Sequence, residues 1–139
     1  MASSTTETLY IIACHCKRTT LTLPSKPTKI NECHCTVCYS YGALWAYYTR
    51  KDVTISFPEE VVEKYIREDK GKEADIAFHR CAKCGNMLYW AGLGEYSGED
   101  HMIGVNMRMV PKKELDGVEW KVSRGPNEEG KKEDLVEGK

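Results

Sequence analysis

The sequence has almost no net charge, with 20 Lys+Arg against 21 Asp+Glu in 139 residues. That balance argues against a nucleic-acid binder working through a basic face, and against a polybasic membrane anchor. No apolar run approaches the roughly 18 residues that a membrane-crossing helix needs. Residues 1–8 are polar and hold neither a basic segment nor an apolar one, so no secretory signal is expected and the default compartment is the cytoplasm. No internal repeat is visible. A phosphate-cradling loop needs a helix behind its glycines, and none is indicated after the Gly-rich stretch 92–98, which is expected to be a plain strand connection.

What remains fits one domain, large enough to bury roughly two-thirds of its unfolded surface without disulfides. Residues 1–8 and 125–139 read as flexible tails around a folded region at 9–124. The C-terminal stretch has almost nothing apolar to bury. Strand patterns dominate in between. Residues 9–13 are apolar, and 19–23 alternate with β-branched residues. Residues 44–49 are aromatic-rich, and Val53, Ile55 and Phe57 alternate before Pro58. Residues 62–67 and 75–80 flank a charged hairpin tip, and 87–91, 101–109 and 118–122 supply further strands. Only 35–41 and 58–62 suit a short helical turn. The expected fold is all-β, a small zinc-stabilised sandwich or partly open barrel of short antiparallel strands with little helix.

Against this sparse background seven cysteines stand out. An odd number cannot pair fully, and a reducing compartment disfavours disulfides, so metal is the better reading. Three clusters hold them all: Cys14-His15-Cys16, Cys33-His34-Cys35-Thr36-Val37-Cys38, and Cys81-Ala82-Lys83-Cys84-Gly85. The last is a zinc-knuckle pattern, in which Gly85 lets the backbone fold under the ion. A structural zinc takes four protein ligands, whereas a catalytic zinc takes three and keeps one position open. The two outer pairs, Cys14/Cys16 and Cys81/Cys84, can supply the four; Cys33, Cys35 and Cys38 can supply the three. Spacing alone also permits Cys14/Cys16 to share ligands with the middle cluster. One four-cysteine zinc with three buried thiols is the bland alternative. A redox role for Cys81/Cys84 is disfavoured, because no βαβ pattern surrounds them.

With its clusters in this order the chain resembles the glutathione-dependent formaldehyde-activating enzyme family, which includes centromere protein V. The resemblance rests on Cys14-His15-Cys16, on Cys33 through Cys38 followed by Gly42-Ala43, and on Phe78-His79-Arg80-Cys81-Ala82-Lys83-Cys84-Gly85. Gly104-Val105-Asn106-Met107-Arg108 adds a weaker match. The resemblance implies an all-β zinc fold with two zinc ions per chain. The structural ion would sit on Cys14, Cys16, Cys81 and Cys84, and the catalytic ion on Cys33, Cys35 and Cys38. It also implies a carbon–sulfur lyase or synthase acting on a small-molecule thiol such as glutathione and on formaldehyde. Two positions depart from the family pattern. Tyr39-Ser40-Tyr41 stands where many members carry basic residues, and Arg80 stands where many carry Phe.

Three thiolates make an electron-rich zinc, suited to a fourth, soft ligand such as a thiol. A thiol held there loses its proton and stays nucleophilic toward a carbonyl. A general acid or base would help. Tyr39, Tyr41 and His34 are the catalytic candidates because they adjoin or lie within the metal loop; ordinary packing of the phenols and an outward-turned His34 ring are the alternatives. His15, His79 and His101 read as ordinary strand residues. Arg108 with Asn106 could meet a substrate carboxylate. Trp45, Tyr47, Tyr48 and Trp90 read as core or sheet-face aromatics, and Met102, Met107 and Met109 as packing. Two rival readings keep the same cysteines: an enzyme for a larger metabolite with the aromatic 39–48 segment in its pocket, and a non-catalytic zinc-stabilised binding module. Oligomeric state is not set by the sequence.

Overall fold

The computed structural model describes residues 9–57 and 61–123. Its strands are β1 (Tyr10–Ala13), β2 (Thr20–Leu23), β3 (Lys29–Cys33), β4 (Trp45–Thr49), β5 (Thr54–Ser56), β6 (Val62–Ile66), β7 (Ile76–Cys81), β8 (Met87–Gly92), β9 (Met102–Asn106) and β10 (Glu119–Ser123). One helix, α1 (Thr36–Tyr41), lies between β3 and β4. Three strands form a small sheet in the order β1-β2-β5, and seven form a large one in the order β10-β3-β4-β9-β8-β7-β6. The two sheets are not closed into a barrel. Among the described residues no helix is long and apolar enough to cross a membrane.

Short β-branched and aromatic runs make these strands, and alternation assigns their faces. Ile12, Leu21 and Leu23 of the small sheet pack on Ala46, Leu88, Ile103 and Val105 of the large one. Each fully buried aliphatic side chain of this kind contributes roughly 1.5–3 kcal/mol. The next residue along β4 points the other way. Trp45 joins Cys33, Cys35, Cys38, Phe78 and Met87 in a second cluster on the opposite face. The fold thus separates an aliphatic core from a sulfur- and aromatic-rich one.

Three expectations need correction or completion. The strands are not all antiparallel: β10 runs parallel to β3, from Glu119↔Lys29 to Ser123↔Cys33. The chain leaves β9 in the middle of the sheet and crosses to its edge through residues 107–118, so it arrives beside β3 in the same direction. Strand β3 itself went unread, since Lys-Ile-Asn-Glu-Cys buries only Ile30 and Cys33. Of the two expected helical turns, 35–41 is α1. In the other, Val62 begins β6, and 58–60 lie outside the described residues. The expected tails at 1–8 and 125–139 also lie outside them.

One cross-strand row bears on the site. Tyr47 of β4 faces Gly104 of β9, which faces Trp90 of β8, which faces Phe78 of β7. Gly104 is required by the close approach of Trp90: a Cβ there would lie 2.1 Å from the indole Nε1. Gly104→Ala is expected to cost about 1–3 kcal/mol through overpacking, read as a lower melting temperature with altered tryptophan fluorescence. An unchanged melt would show that the ring is not packed on this glycine.

Two phenols tie loops to strands. Tyr48 Oη donates to the Ser25 carbonyl at 2.9 Å, and burial pushes its pKa up to about 12. Tyr10 Oη donates to Glu114 at 2.9 Å; burial and then the Glu114 carboxylate push it to about 12 as well. Both folded values lie above the free phenol value of about 10. Their stabilising contribution is therefore complete below about pH 10 and is lost as pH rises toward about 12. Denaturant melts across that window should show a smaller loss of stability for Tyr48→Phe than for the wild type.

Candidate metal centres

The first centre forms where β1 and β7 end. After β1 the chain turns tightly, with Lys17 N donating to Cys14 O at 3.0 Å and Cys14 N to Thr19 O at 3.1 Å. This presents Cys14 and Cys16 on one side. After β7, Gly85 N donates back to Cys81 O at 2.9 Å, and Gly85 takes φ 83°, a left-handed conformation that glycine adopts freely. The backbone N–H groups of Lys83 and Cys84 each reach Cys81 Sγ at 3.4 Å. Asn86 Oδ1 accepts from His15 N at 2.7 Å and so ties the two turns together.

The four sulfurs lie within 4.8 Å of one another. Cys14 and Cys16 are 3.6 Å apart, as are Cys16 and Cys81. A tetrahedral ion with Zn–S bonds of about 2.3 Å sets sulfurs about 3.8 Å apart, so the four thiols fit such an ion. All seven cysteines are free. Hydrogen bonds from Arg18, its backbone before its side chain, hold the Cys16 thiol down to about 6, and the neighbouring thiols of Cys81 and Cys14 assist.

The second centre lies on the other face of the large sheet. Cys33 ends β3, and Cys35 caps α1, its Sγ accepting from Cys38 N at 3.5 Å. One helical turn then brings Cys38 back over Cys35, and Gly42 ends the helix in a left-handed conformation. The three sulfurs lie within 4.8 Å of one another, and all three residues are buried. Trp45 Nε1 donates to Cys38 Sγ at 3.3 Å. Hydrogen bonds from the Cys33 and Cys38 thiols pull Cys35 well down, with Arg67 adding its charge; hydrogen bonds with Cys33 and then Cys35 push Cys38 up, and the hydrogen bond to Cys35 pushes Cys33 up. Without a cation the cluster thus favours a single thiolate. Ionising all three needs a compensating positive charge, which a divalent ion at their centre would supply.

Among the described residues no fourth His, Cys, Asp or Glu ligand joins this group. His34 is the nearest candidate in sequence, yet its Nε2 sits on Glu32 Oε2 at 3.0 Å. Glu32 is fixed in turn by Trp120 Nε1 at 2.8 Å. The His34 ring was expected to turn outward, but it is buried against Glu32 and edge-on to Tyr39 at 5.0 Å. Tyr39 is exposed. Tyr41 is half-buried against Phe78 at 5.4 Å, and burial pushes its phenol up.

The remaining candidates fall elsewhere. His79 stacks on Tyr89 at 4.3 Å on the aliphatic-core side, and burial lowers its pKa. His101 is exposed beside Tyr96, and His15 is exposed in the first turn. Asn106 is a structural clamp. Its Oδ1 accepts from Leu44 N and Arg108 N at 3.1 Å each, and its Nδ2 donates to Met87 O at 2.8 Å. Arg108 Nε donates to Gly42 O at 2.8 Å, bracing the end of α1.

Tyr47 was read as an ordinary sheet-face aromatic, and its position is more telling. It remains 42% exposed, and its hydroxyl accepts from Asn31 Nδ2 at 2.7 Å. Burial raises its pKa, the Asn31 hydrogen bond opposes that rise, and the charges of Cys33, Cys38 and Cys35 add to it. The available signal was alternation: Tyr47 shares a strand face with Trp45, and Asn31 shares one with Cys33.

The sequence profile of the family described as glutathione-dependent formaldehyde-activating enzyme matches residues 9–119. The chain belongs to this family. The span contains both cysteine centres. A crystal structure of a Rhodobacter sphaeroides protein superposes with a TM-score of 0.60 at 20% identity, covering 81% of this chain and all of the other, which shows a shared fold. No curated protein matches the sequence. For this family member Cys81→Ser removes a fully buried thiol of the four-cysteine centre. It is expected to lose one metal equivalent and to become insoluble or melt far below the wild type, because a closed structural site contributes folding free energy directly. Full metal content with an unchanged melt would contradict the grouping.

Proposed function

We propose that this protein is a zinc enzyme that makes or breaks the carbon–sulfur bond between a glutathione-like thiol and a small aldehyde. The carrying observation is a buried triad of convergent thiols with no fourth protein ligand among the described residues, and with His34 committed to Glu32. That is the pattern of an open site. Family membership favours formaldehyde as the aldehyde.

In this reading Cys14, Cys16, Cys81 and Cys84 hold a structural zinc that joins the small sheet to the large one. Cys33, Cys35 and Cys38 hold the reactive one. Zinc there would supply a soft Lewis acid that keeps a fourth sulfur deprotonated and nucleophilic. The chain's own residues do the rest. Trp45 N–H and the α1 backbone hold the cysteine sulfurs in place, and the aromatic residues around them limit water. Tyr39, Tyr41 and His34 are the candidates for moving the proton that the thiol releases and the new hydroxyl gains. His34 has its orientation fixed by Glu32, and Tyr41 keeps its phenol protonated because burial opposes its charge. A reducing compartment such as the cytoplasm suits seven free thiols. A second reading, a larger carbonyl substrate, is favoured by the partly exposed Tyr47 and Trp90 in a row beside the centre.

NMR exchange spectroscopy on glutathione and formaldehyde tests the proposal. Zinc-loaded wild type should accelerate adduct exchange, whereas Cys35→Ser should fold, lose one zinc and leave exchange at the uncatalysed rate. Equal rates for both proteins would remove the thiol–aldehyde reaction.

A further inference from the structure

Strands β3 and β4 pair at a single position, Asn31↔Trp45. Beyond it they diverge, and the gap opens into a cavity of about 440 Å³. Its lining includes Lys26 and Lys29 from the β2–β3 side and Tyr47 and Tyr48 from β4, together with Ser25 and Thr28, and it contains no carboxylate. The Tyr48–Ser25 hydrogen bond spans one side of the gap and the Asn31–Tyr47 bond the other, so its walls are tied. Glu119 is the acidic neighbour in register with Lys29, outside the lining. Among the described residues neither lysine has an ion-pair partner. Tyr47 lines this cavity and accepts from Asn31 Nδ2 at 2.7 Å, and Asn31 lies two residues before Cys33 on the same face of β3. The cavity's cationic wall therefore lies at the start of the strand that ends in Cys33.

We propose that the gap between β3 and β4 binds the carboxylate-bearing arm of the thiol substrate, with Lys26 and Lys29 as its cationic contacts. This rests on the thiol–aldehyde reading above and assigns the contacts of that thiol's anionic end. It also answers a feature of the sequence: Tyr39-Ser40-Tyr41 leaves no basic residue directly after Cys38. Lys26 and Lys29 put positive charge at the entry to β3, whose last residue is Cys33. The size is adequate, since ligand cavities of roughly 300–1,000 Å³ hold molecules of this class.

The test uses the zinc-loaded full chain and a Lys26→Met/Lys29→Met variant, which keeps the aliphatic stems at two exposed positions. NMR titration measures affinity for glutathione and for uncharged 2-mercaptoethanol, and exchange kinetics are recorded alongside. The variant should bind glutathione about tenfold or more weakly and show a raised KM with little change in kcat. Its affinity for 2-mercaptoethanol and its zinc content should stay within about twofold of wild type. Unchanged glutathione binding, or an equal loss for both thiols, would overturn the proposal. Lysine-dependent glutathione binding without exchange by the wild type would retain the cavity's role and overturn the reaction. Failure of the wild type to bind glutathione would overturn both.

Discussion

Sulfur atoms held close together in the protein interior are the constraint on which this structure depends. Thiols within 4.8 Å of one another cannot all ionise unless a cation offsets their charge. The two groups place that demand at different points of the fold. Cys14, Cys16, Cys81 and Cys84 lie where a strand of the small sheet and a strand of the large sheet both end, so an ion there would fasten the sheets to each other. Cys33, Cys35 and Cys38 lie on one continuous stretch of strand and helix, so an ion there fastens little that the chain does not already join. The first arrangement suits stability, and the second offers three sulfurs with no fourth ligand among the described residues.

The aromatic residues follow the same division. Ala46 and Tyr48 point toward the aliphatic core or its rim, while Trp45 packs with the three cysteines and Tyr47 shares its strand face. A single strand therefore carries core packing on one side and site lining on the other. Buried polar groups are satisfied where they matter for shape. Asn106 links three backbone groups, and Arg67 is held by Asp69 while it donates to Thr36 Oγ1 at 3.1 Å at the first residue of α1. Both anchor the helix region that presents Cys35 and Cys38.

The cysteine grouping was legible because metal-ligand spacing is a local property. Cys-x-Cys and Cys-x-x-Cys each place two sulfurs on one side of a tight turn whatever the surrounding fold. The hairpin of β6 and β7 and the turn at α1 were legible for a similar reason, since alternation and glycine placement act over a few residues. Strand β3 is not legible because its polar residues face partners supplied by distant segments: Asn31 meets Tyr47, and Glu32 meets Trp120. Nothing within Lys-Ile-Asn-Glu-Cys itself announces a strand in the middle of a sheet.

By itself the sequence determined an all-β domain, three local cysteine clusters and a resemblance to the family, because composition and short spacings are enough to specify them; that the two outer clusters meet as one four-cysteine group took the fold. Only the tertiary structure decided which way His34 points, that β10 runs parallel to β3, and that β3 and β4 part to leave a lysine-lined cavity beside Tyr47. Those outcomes depend on residues between about 15 and 90 positions apart, and the relative placement of such residues is set by packing of the whole chain rather than by any local preference.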